Sequence, residues 1–318
     1  MRYLALVAVL SCVYSAASVF AQPLASYQQL KPGDQVQVPL EHLHPTQAVV
    51  GYDQIFYKLR RFQAEPHKLF DEYCETSGQG EAARVPTGAR INDPASFHCQ
   101  QPVGTYPGEM KTVVVGPGGQ LYLTDGHHTF TLLWEQPGAG PTQPMWVRVT
   151  DNFSDSADLA TFWQRMQAER KVWLQDGRGR PLAVETLPDR LGLDVLRDDP
   201  YRALVYFARE VAYDKPRSGS VAPEFLEFYW GQWLRGQLNL DRYDLTDKSD
   251  YHAALLAVSR LMVAQQPDRP LGDSGYTAAQ LGGYPVIDRK ELSKTMQRKL
   301  SHVIRYKQQL RKSMTAAI

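Results

Sequence analysis

Near residue 152 the chain changes texture, and the change separates two kinds of structure. Before it, short β-type runs broken by Gly and Pro follow one another: "DQVQVPLEHL", "KTVVVGPGG", "QLYLTDG" and "PMWVRVT". Between the first two lies "QAVVGYDQIFYKLRRF", where Val49, Val50, Ile55, Phe56 and Leu59 suit one face of a helix. After residue 152 the apolar residues recur at helical spacing, in "SADLATFWQRMQAERKVWL", "YRALVYFAREVAY", "APEFLEFYWGQWLRGQL", "DYHAALLAVSRLMVAQ" and "RKELSKTMQRKLSHVIRYKQQLRK". The expectation is an α/β domain over 22–152 followed by a mostly α-helical domain over 153–318. The stretch from about Glu65 to Glu109 is polar, rich in Gly and Pro and weakly periodic. It reads as a long excursion of the kind that covers a site or decorates a surface.

The first residues carry a processing signal. Arg2 precedes the apolar run "LALVAVLSCVYSAASVF", and Val19-Phe20-Ala21 before Gln22 suits a cleavage site, so residues 1–21 are expected to be a signal peptide. A retained membrane anchor and a lipoprotein signal at Cys12 are the alternatives; no cationic stop-transfer flank follows the run, and apolar sequence continues past Cys12. The expected location is periplasmic or secreted, with no integral span after cleavage. Removing Arg2 leaves 34 basic residues facing 34 acidic ones, so no global field draws nucleic acid or anionic lipid. The mature chain keeps Cys74 and Cys99, which in an oxidising compartment most simply form one disulfide that closes the excursion. A thiol nucleophile at Cys99 beside His98 is the sharper alternative.

In "LYLTDGHHTF" an alternating strand pattern runs into Asp125-Gly126 and two adjacent histidines, and "HHTFTLLWE" then suits a helix. His127 and His128 fall in the first turn, where free backbone N–H groups and the helix dipole favour an anion. Such rings can move protons or bind metal, or they can bond a loop carbonyl with Asp125 as a plain N-cap. Adjacent helical positions diverge by about 100°. A metal would therefore need a third ligand, from His42, His44, His98 or Asp125, and spacing fixes none of them. A divalent cation remains a candidate cofactor without an assigned site. Two further features stay open. The aromatic stripe Phe225, Phe228, Tyr229 and Trp233 is either core or a stacking platform. The last helix, basic from Arg289 to Lys312 with Glu291 its sole acid, either binds polyanions or forms a solvated face over Leu292, Met296, Leu300, Val303, Ile304 and Leu310.

A second segment adds to the histidine corner. "VPLEHLHPTQAVVGYDQIFYKLRRF", with Leu43-His44-Pro45-Thr46-Gln47 and Val50-Gly51, followed much later by Asp125-Gly126-His127-His128, resembles the ParB/sulfiredoxin fold, most closely its branch of ParB-like nucleases. The resemblance covers about residues 33–150, less the insertion. It implies a pocket where Gly126, His127 and His128 meet the phosphates of a nucleotide or nucleic acid, with Thr46, Gln47 and Thr129 nearby. Relatives use the fold for nucleotide hydrolysis and for phosphoryl transfer, in sulfiredoxins and free-serine kinases, so it does not choose a reaction. Many relatives carry an arginine where Thr129 stands, which leaves Arg60 or Arg61 to supply the phosphate fork. Kinase-like relatives carry a glutamate where Gln47 stands, and an amide is no base, though Glu41 is close.

The first expectation is thus an exported nuclease or related phosphodiester hydrolase. His127 or His128 would act as acid/base or metal ligand, Asp125 would orient a ring, and Gly126 would receive a phosphate oxygen. The alternative is a non-catalytic exported protein that binds an anion or a partner. A free-serine-kinase-like enzyme comes third.

Overall fold

The four strand-type runs each supply a strand to one five-stranded mixed sheet, and Leu43–Pro45 supplies the fifth. A computed structural model of the protein describes residues 27–216 and 223–316; the expected signal peptide over 1–21 and its cleavage site lie outside the described residues. In chain order the first half comprises β1 (Gln35–Pro39), β2 (Leu43–Pro45), β3 (Val49–Val50), α1 (Tyr52–Ala64), α2 (His67–Thr76), β4 (Ala82–Arg84), β5 (His98–Cys99), β6 (Lys111–Val115), β7 (Leu121–Leu123), α3 (His127–Glu135) and β8 (Pro144–Asn152). The sheet order is β1-β8-β6-β7-β2. β8 runs antiparallel to β1 and parallel to β6, while β7 runs antiparallel to β6 and parallel to β2. Val113, Val114 and Val115 of the central β6 are all fully buried, as a strand covered on both faces requires. In β8 only alternate residues, Met145, Val147 and Val149, reach the core.

Two local expectations change. Val49 and Val50 form a strand rather than the start of a helix. The backbone around them is satisfied from far along the chain: Arg197 N–H donates to the Ala48 carbonyl and Asp199 N–H to that of Val50, both at 2.9 Å. The helix therefore starts after Gly51, where Tyr52 N–H donates to the Asp198 carboxylate at 2.9 Å. Gly51 must be glycine for space, since a Cβ there would lie 2.8 Å from the Ala203 backbone. Secondly, the polar excursion contains a helix, α2, whose Leu69, Phe70, Tyr73 and Cys74 are buried at one-turn spacing. Phe97 packs edge-on against Phe70 and Tyr73, and the Cys74–Cys99 disulfide ties α2 to β5. With a sequence separation of 25, removing that bridge by Cys74→Ser/Cys99→Ser is expected to cost about 3 kcal/mol in urea unfolding.

The second half adds α4 (Leu159–Ala168), β9 (Arg197–Asp198), α5 (Pro200–Ala208), α6 (Leu226–Arg235), α7 (Lys248–Val263), α8 (Arg289–Lys294), a π-helical turn (Thr295–Lys299) and α9 (Leu300–Ala316). β9 pairs in parallel with β3, and Leu191 and Leu196 join the core beneath the sheet, so the chain returns to the α/β half well after residue 152. Trp230, Tyr251, Phe207 and Leu255 centre a second core, into which Tyr57 of α1 reaches. α1 is therefore shared by both cores. Its Asp53, fully enclosed, accepts from the Tyr251 hydroxyl at 2.8 Å and from Lys307 Nζ at 2.7 Å, which fastens it to α7 and α9. The basic C-terminal segment buries Leu292, Leu300, Val303 and Ile304 and turns most of its basic residues outward, while Lys307 turns in to Asp53 and Lys299 lies over the Tyr206 ring. No helix among the described residues is long and apolar enough to cross a membrane.

Candidate functional site

The two sequence motifs meet at the start of α3. Gly126 precedes that helix at φ +111°, and a Cβ on it would lie 2.6 Å from Lys111 Cγ, so both backbone and space demand glycine. His127 Nε2 accepts the Thr46 N–H at 3.0 Å, and His128 Nε2 accepts the Gly51 N–H at 2.9 Å. A backbone N–H can only donate, so each Nε2 is unprotonated and each neutral ring carries its proton on Nδ1. Burial enforces the same state. It pushes His127 down to about 3 against a small opposing pull from Asp125, and holds His128 well below its usual value, with Arg202 adding to the effect. Thr46 donates its hydroxyl to the Leu123 carbonyl at 2.7 Å, and Gln47 donates to the carbonyl of Val49. The histidines and the Thr46-Gln47 turn thus brace β2, β7 and α1 against one another. This differs from the proton-transfer role expected for His127, whose ring does not line the adjacent cavity.

That cavity, about 250 Å³, opens beside the corner and is almost wholly polar. The corner supplies Asp125, Gly126, His128 and Thr129; α1 supplies Gln54 and Lys58; α2 supplies Glu72, Glu75 and Thr76. The helical half closes it with Arg202, Arg209, Lys215 and Glu227. Cations and carboxylates are interleaved. Lys58 pairs with Glu72, which also accepts from Thr129 Oγ1 at 3.3 Å. Lys111 lies 3.3 Å from Asp125. Arg209 pairs with Glu227, Arg202 lies 3.8 Å from the same carboxylate, and Arg202 Nη1 donates to Gln54 Oε1 at 3.0 Å.

Two of these carboxylates are pushed in opposite directions. Burial raises Glu72, but the Lys58 charge and hydrogen bond outweigh it and hold the group below its ordinary value. Glu75, one turn on and at the mouth, is raised by burial and by the Glu72 charge. The two carboxyls on α2 are thus held apart, Glu72 below its ordinary value and Glu75 above it.

Arg60 and Arg61 do not supply the expected fork. Arg60 lines a surface hollow with Arg305 and Lys312, and Arg61 lies 3.8 Å from Glu65. The guanidinium groups at the cavity are Arg202 and Arg209 instead, seven residues apart. Their trace in the sequence is a charge inside an apolar helical run, "YRALVYFARE", as Glu227 is in "EFLEFYWGQW". The third-ligand candidates are also dispersed. His42 faces the Tyr27 hydroxyl at 3.4 Å, His44 bonds Gln120 at 2.6 Å, and His98 sits exposed on β5. Among the described residues no three His, Cys, Asp or Glu side chains gather as metal ligands, and the cavity's Glu72, Asp125 and Glu227 each face a cation. The residues present do not fit a metal cage.

The strand-to-helix corner of a mixed α/β sheet thus opens on a polar cavity in which cations and carboxylates are interleaved. The chain belongs to the family described as "Putative ParB-like nuclease", whose model matches residues 36–236, well over half of the sequence. The match runs through α5 and α6 and so takes in Arg202, Arg209 and Glu227 with the corner. Among solved structures, protein Atu1540 from Agrobacterium tumefaciens is similar, with 20% identity, 73% of this chain and 92% of that chain covered, and a TM-score of 0.49. No curated protein sequence matches the chain.

Proposed function

We propose that the cavity binds a phosphodiester of a nucleic acid or nucleotide and hydrolyses it, so that the protein is an exported nuclease of the ParB-like family. The observation that carries this reading is the carboxylate pair on α2, Glu72 held ionised and Glu75 raised, set in a cavity with Lys58, Lys111, Lys215, Arg202 and Arg209. The cations and the α3 N-terminus would receive the phosphate oxygens and the charge that builds on them. Glu75 would take the proton from a water as its oxygen attacks phosphorus, the bond to the leaving sugar oxygen breaks, and that oxygen then takes up a proton. Asp125 would hold Lys111, and the histidines would fix the walls. Export rests on the leader-like residues 1–21, and a disulfide suits an oxidising compartment.

The purified chain is expected to cut plasmid, single-stranded DNA or RNA, and Glu75→Gln to slow cutting by about 100-fold or more while leaving the fold intact. A second reading, anion binding without catalysis, is favoured by the engagement of both histidine Nε2 atoms and by the pairing of Glu72, Asp125 and Glu227 with cations. Oligonucleotide binding without any cutting selects it and removes the hydrolase. Phosphoryl transfer to a hydroxyl acceptor is the weakest reading, since Gln47 is turned into its own loop; label transfer from ATP would restore it.

A further inference from the structure

Cations continue outward from the charged cavity onto the C-terminal segment. Tyr206, half-buried, lines that cavity, and two cations lie over its ring, Arg209 at 5.8 Å and Lys299 Nζ at 5.9 Å from the centroid. Tyr57 then links Tyr206, at 6.4 Å between ring centroids, to His302 of α9, at 6.0 Å. His302 stands among further cations. Burial lowers its pKa; Glu65 opposes this, and the charges of Arg60, Arg305 and Arg61 add to it.

Beyond His302 lies the surface hollow of Arg60, Arg305 and Lys312, about 340 Å³ in volume, with Gln308, Gln309 and Ser313 completing its walls. Arg305 and Lys312 are exposed, and among the described residues no carboxylate pairs with them or with Arg60. Lys58, Lys111 and Arg209 of the cavity, by contrast, each face one. The acids that border the band are Glu65, 3.8 Å from Arg61, and Glu210, whose charge acts on Lys299. Lys299, His302, Arg305, Gln309 and Lys312 recur at steps of three or four residues and so share one helix face. From Lys299 to Lys312 the helix rises about 20 Å, the length of about six phosphates along a stacked strand. Phe56, one turn before Arg60, stacks on Tyr306 at 5.0 Å, so half-buried aromatic rings stand beside the cations.

We propose that this band is a docking track for single-stranded nucleic acid, which lays its flanking phosphates along α9 while one phosphodiester enters the cavity. The inference rests on the reading of the cavity as a phosphodiester site, and it makes the substrate a polynucleotide rather than a nucleotide. Unpaired cations in a row, interleaved with aromatic rings, are what a single strand needs for its phosphates and bases. A cavity of about 250 Å³ takes in a phosphate but no duplex, so the strand must be unpaired where it enters. An anionic membrane fits less well, because the hollow is concave and walled by amides and cations.

The test titrates the full chain against fluorescein-labelled oligothymidylates of about 4 and about 16 nucleotides, which bracket one single-strand site, with anisotropy read from about 50 to 200 mM salt. The longer strand should bind about tenfold more tightly or better. Arg60→Gln/Arg305→Gln/Lys312→Gln should remove most of that gain. It should also lower the slope of log affinity against log salt by about 2, since each phosphate contact on a single strand carries about 0.7. Any hydrolysis of the small diester bis(p-nitrophenyl) phosphate should be unchanged in the same variant. Arg305→Glu/Lys312→Glu, at two exposed positions, repeats the test without Arg60 should the triple variant misfold. A parent that cuts nothing, yet loses its length-dependent binding in the variants, removes the hydrolase and leaves the track standing. The track is overturned if the variants bind the longer strand with the parent's affinity and salt slope, or if strand length has no effect. It is overturned equally if a duplex of the same length, or vesicles of phosphatidylglycerol, bind in preference to the single strand.

Discussion

Replacing His127 and His128 together with alanine is expected to cost the fold about 4–6 kcal/mol, a large share of the 5–15 kcal/mol that holds a domain together. Each ring accepts a backbone N–H, from Thr46 and Gly51, inside a buried corner. Alanine leaves both donors unsatisfied, at about 1–3 kcal/mol each, and adds two cavities. His→Gln at either position places an amide oxygen near the lost Nε2 and should recover part of the loss. The wild type should also weaken in acid. The folded histidines resist protonation, His127 down to about 3, while in the unfolded chain they protonate near 6.5. Their stabilising effect is thus complete above about pH 6.5 and is lost as pH falls toward 3, by up to roughly 1.4 kcal/mol per pH unit for each ring. Urea unfolding at pH 7 and pH 5 measures both effects. An alanine variant as stable as the parent but unable to cut nucleic acid would make the histidines reactive groups and remove the bracing role.

The corner illustrates what a sequence can and cannot convey here. Alternation in "LYL", the Asp125-Gly126 break and the helical spacing after it are local properties, and they placed β7, the turn and α3 correctly. The four strand-type runs and the five helical runs are legible for the same reason. Val49-Val50 were not, because their strand form depends on residues 197–199, about 150 positions away. α2 was obscured by its polar flanks, although Leu69, Phe70, Tyr73 and Cys74 carry one-turn spacing. At the site, the sequence marked the residues of the corner but not their partners. Arg202, Arg209 and Glu227 reach the cavity only because α5 and α6 fold back over it, and periodicity identifies a face without saying what that face meets. A charge at an apolar-periodic position was the available sign.

Those three residues give the other large effect. Glu227→Ala is expected to destabilise the protein by about 3–5 kcal/mol, since it strands Arg202, which is 5% exposed, together with the partly buried Arg209. Burial alone would raise the Glu227 carboxyl, yet Arg202, Lys215 and Arg209 hold it well below the usual range. Its stabilising contribution is therefore present above about pH 4.5 and lost as pH falls further, a window that overlaps the lower part of that of the histidines. Arg209→Met combined with Glu227→Met removes both charges of the close pair and should cost less than the sum of the two changes, while Arg202 still loses its carboxylate partner. Anion binding should move the other way. Glu227→Gln takes a negative charge from a cavity proposed to hold phosphate, so the folded fraction of that variant should bind an oligonucleotide more tightly than the parent, and Arg202→Met more weakly. Stability by urea unfolding and affinity by fluorescence anisotropy would then respond to Glu227→Gln with opposite signs. A fall in affinity would mean that Glu227 contacts the ligand itself, and the phosphate would have to be placed elsewhere than against Arg202 and Arg209.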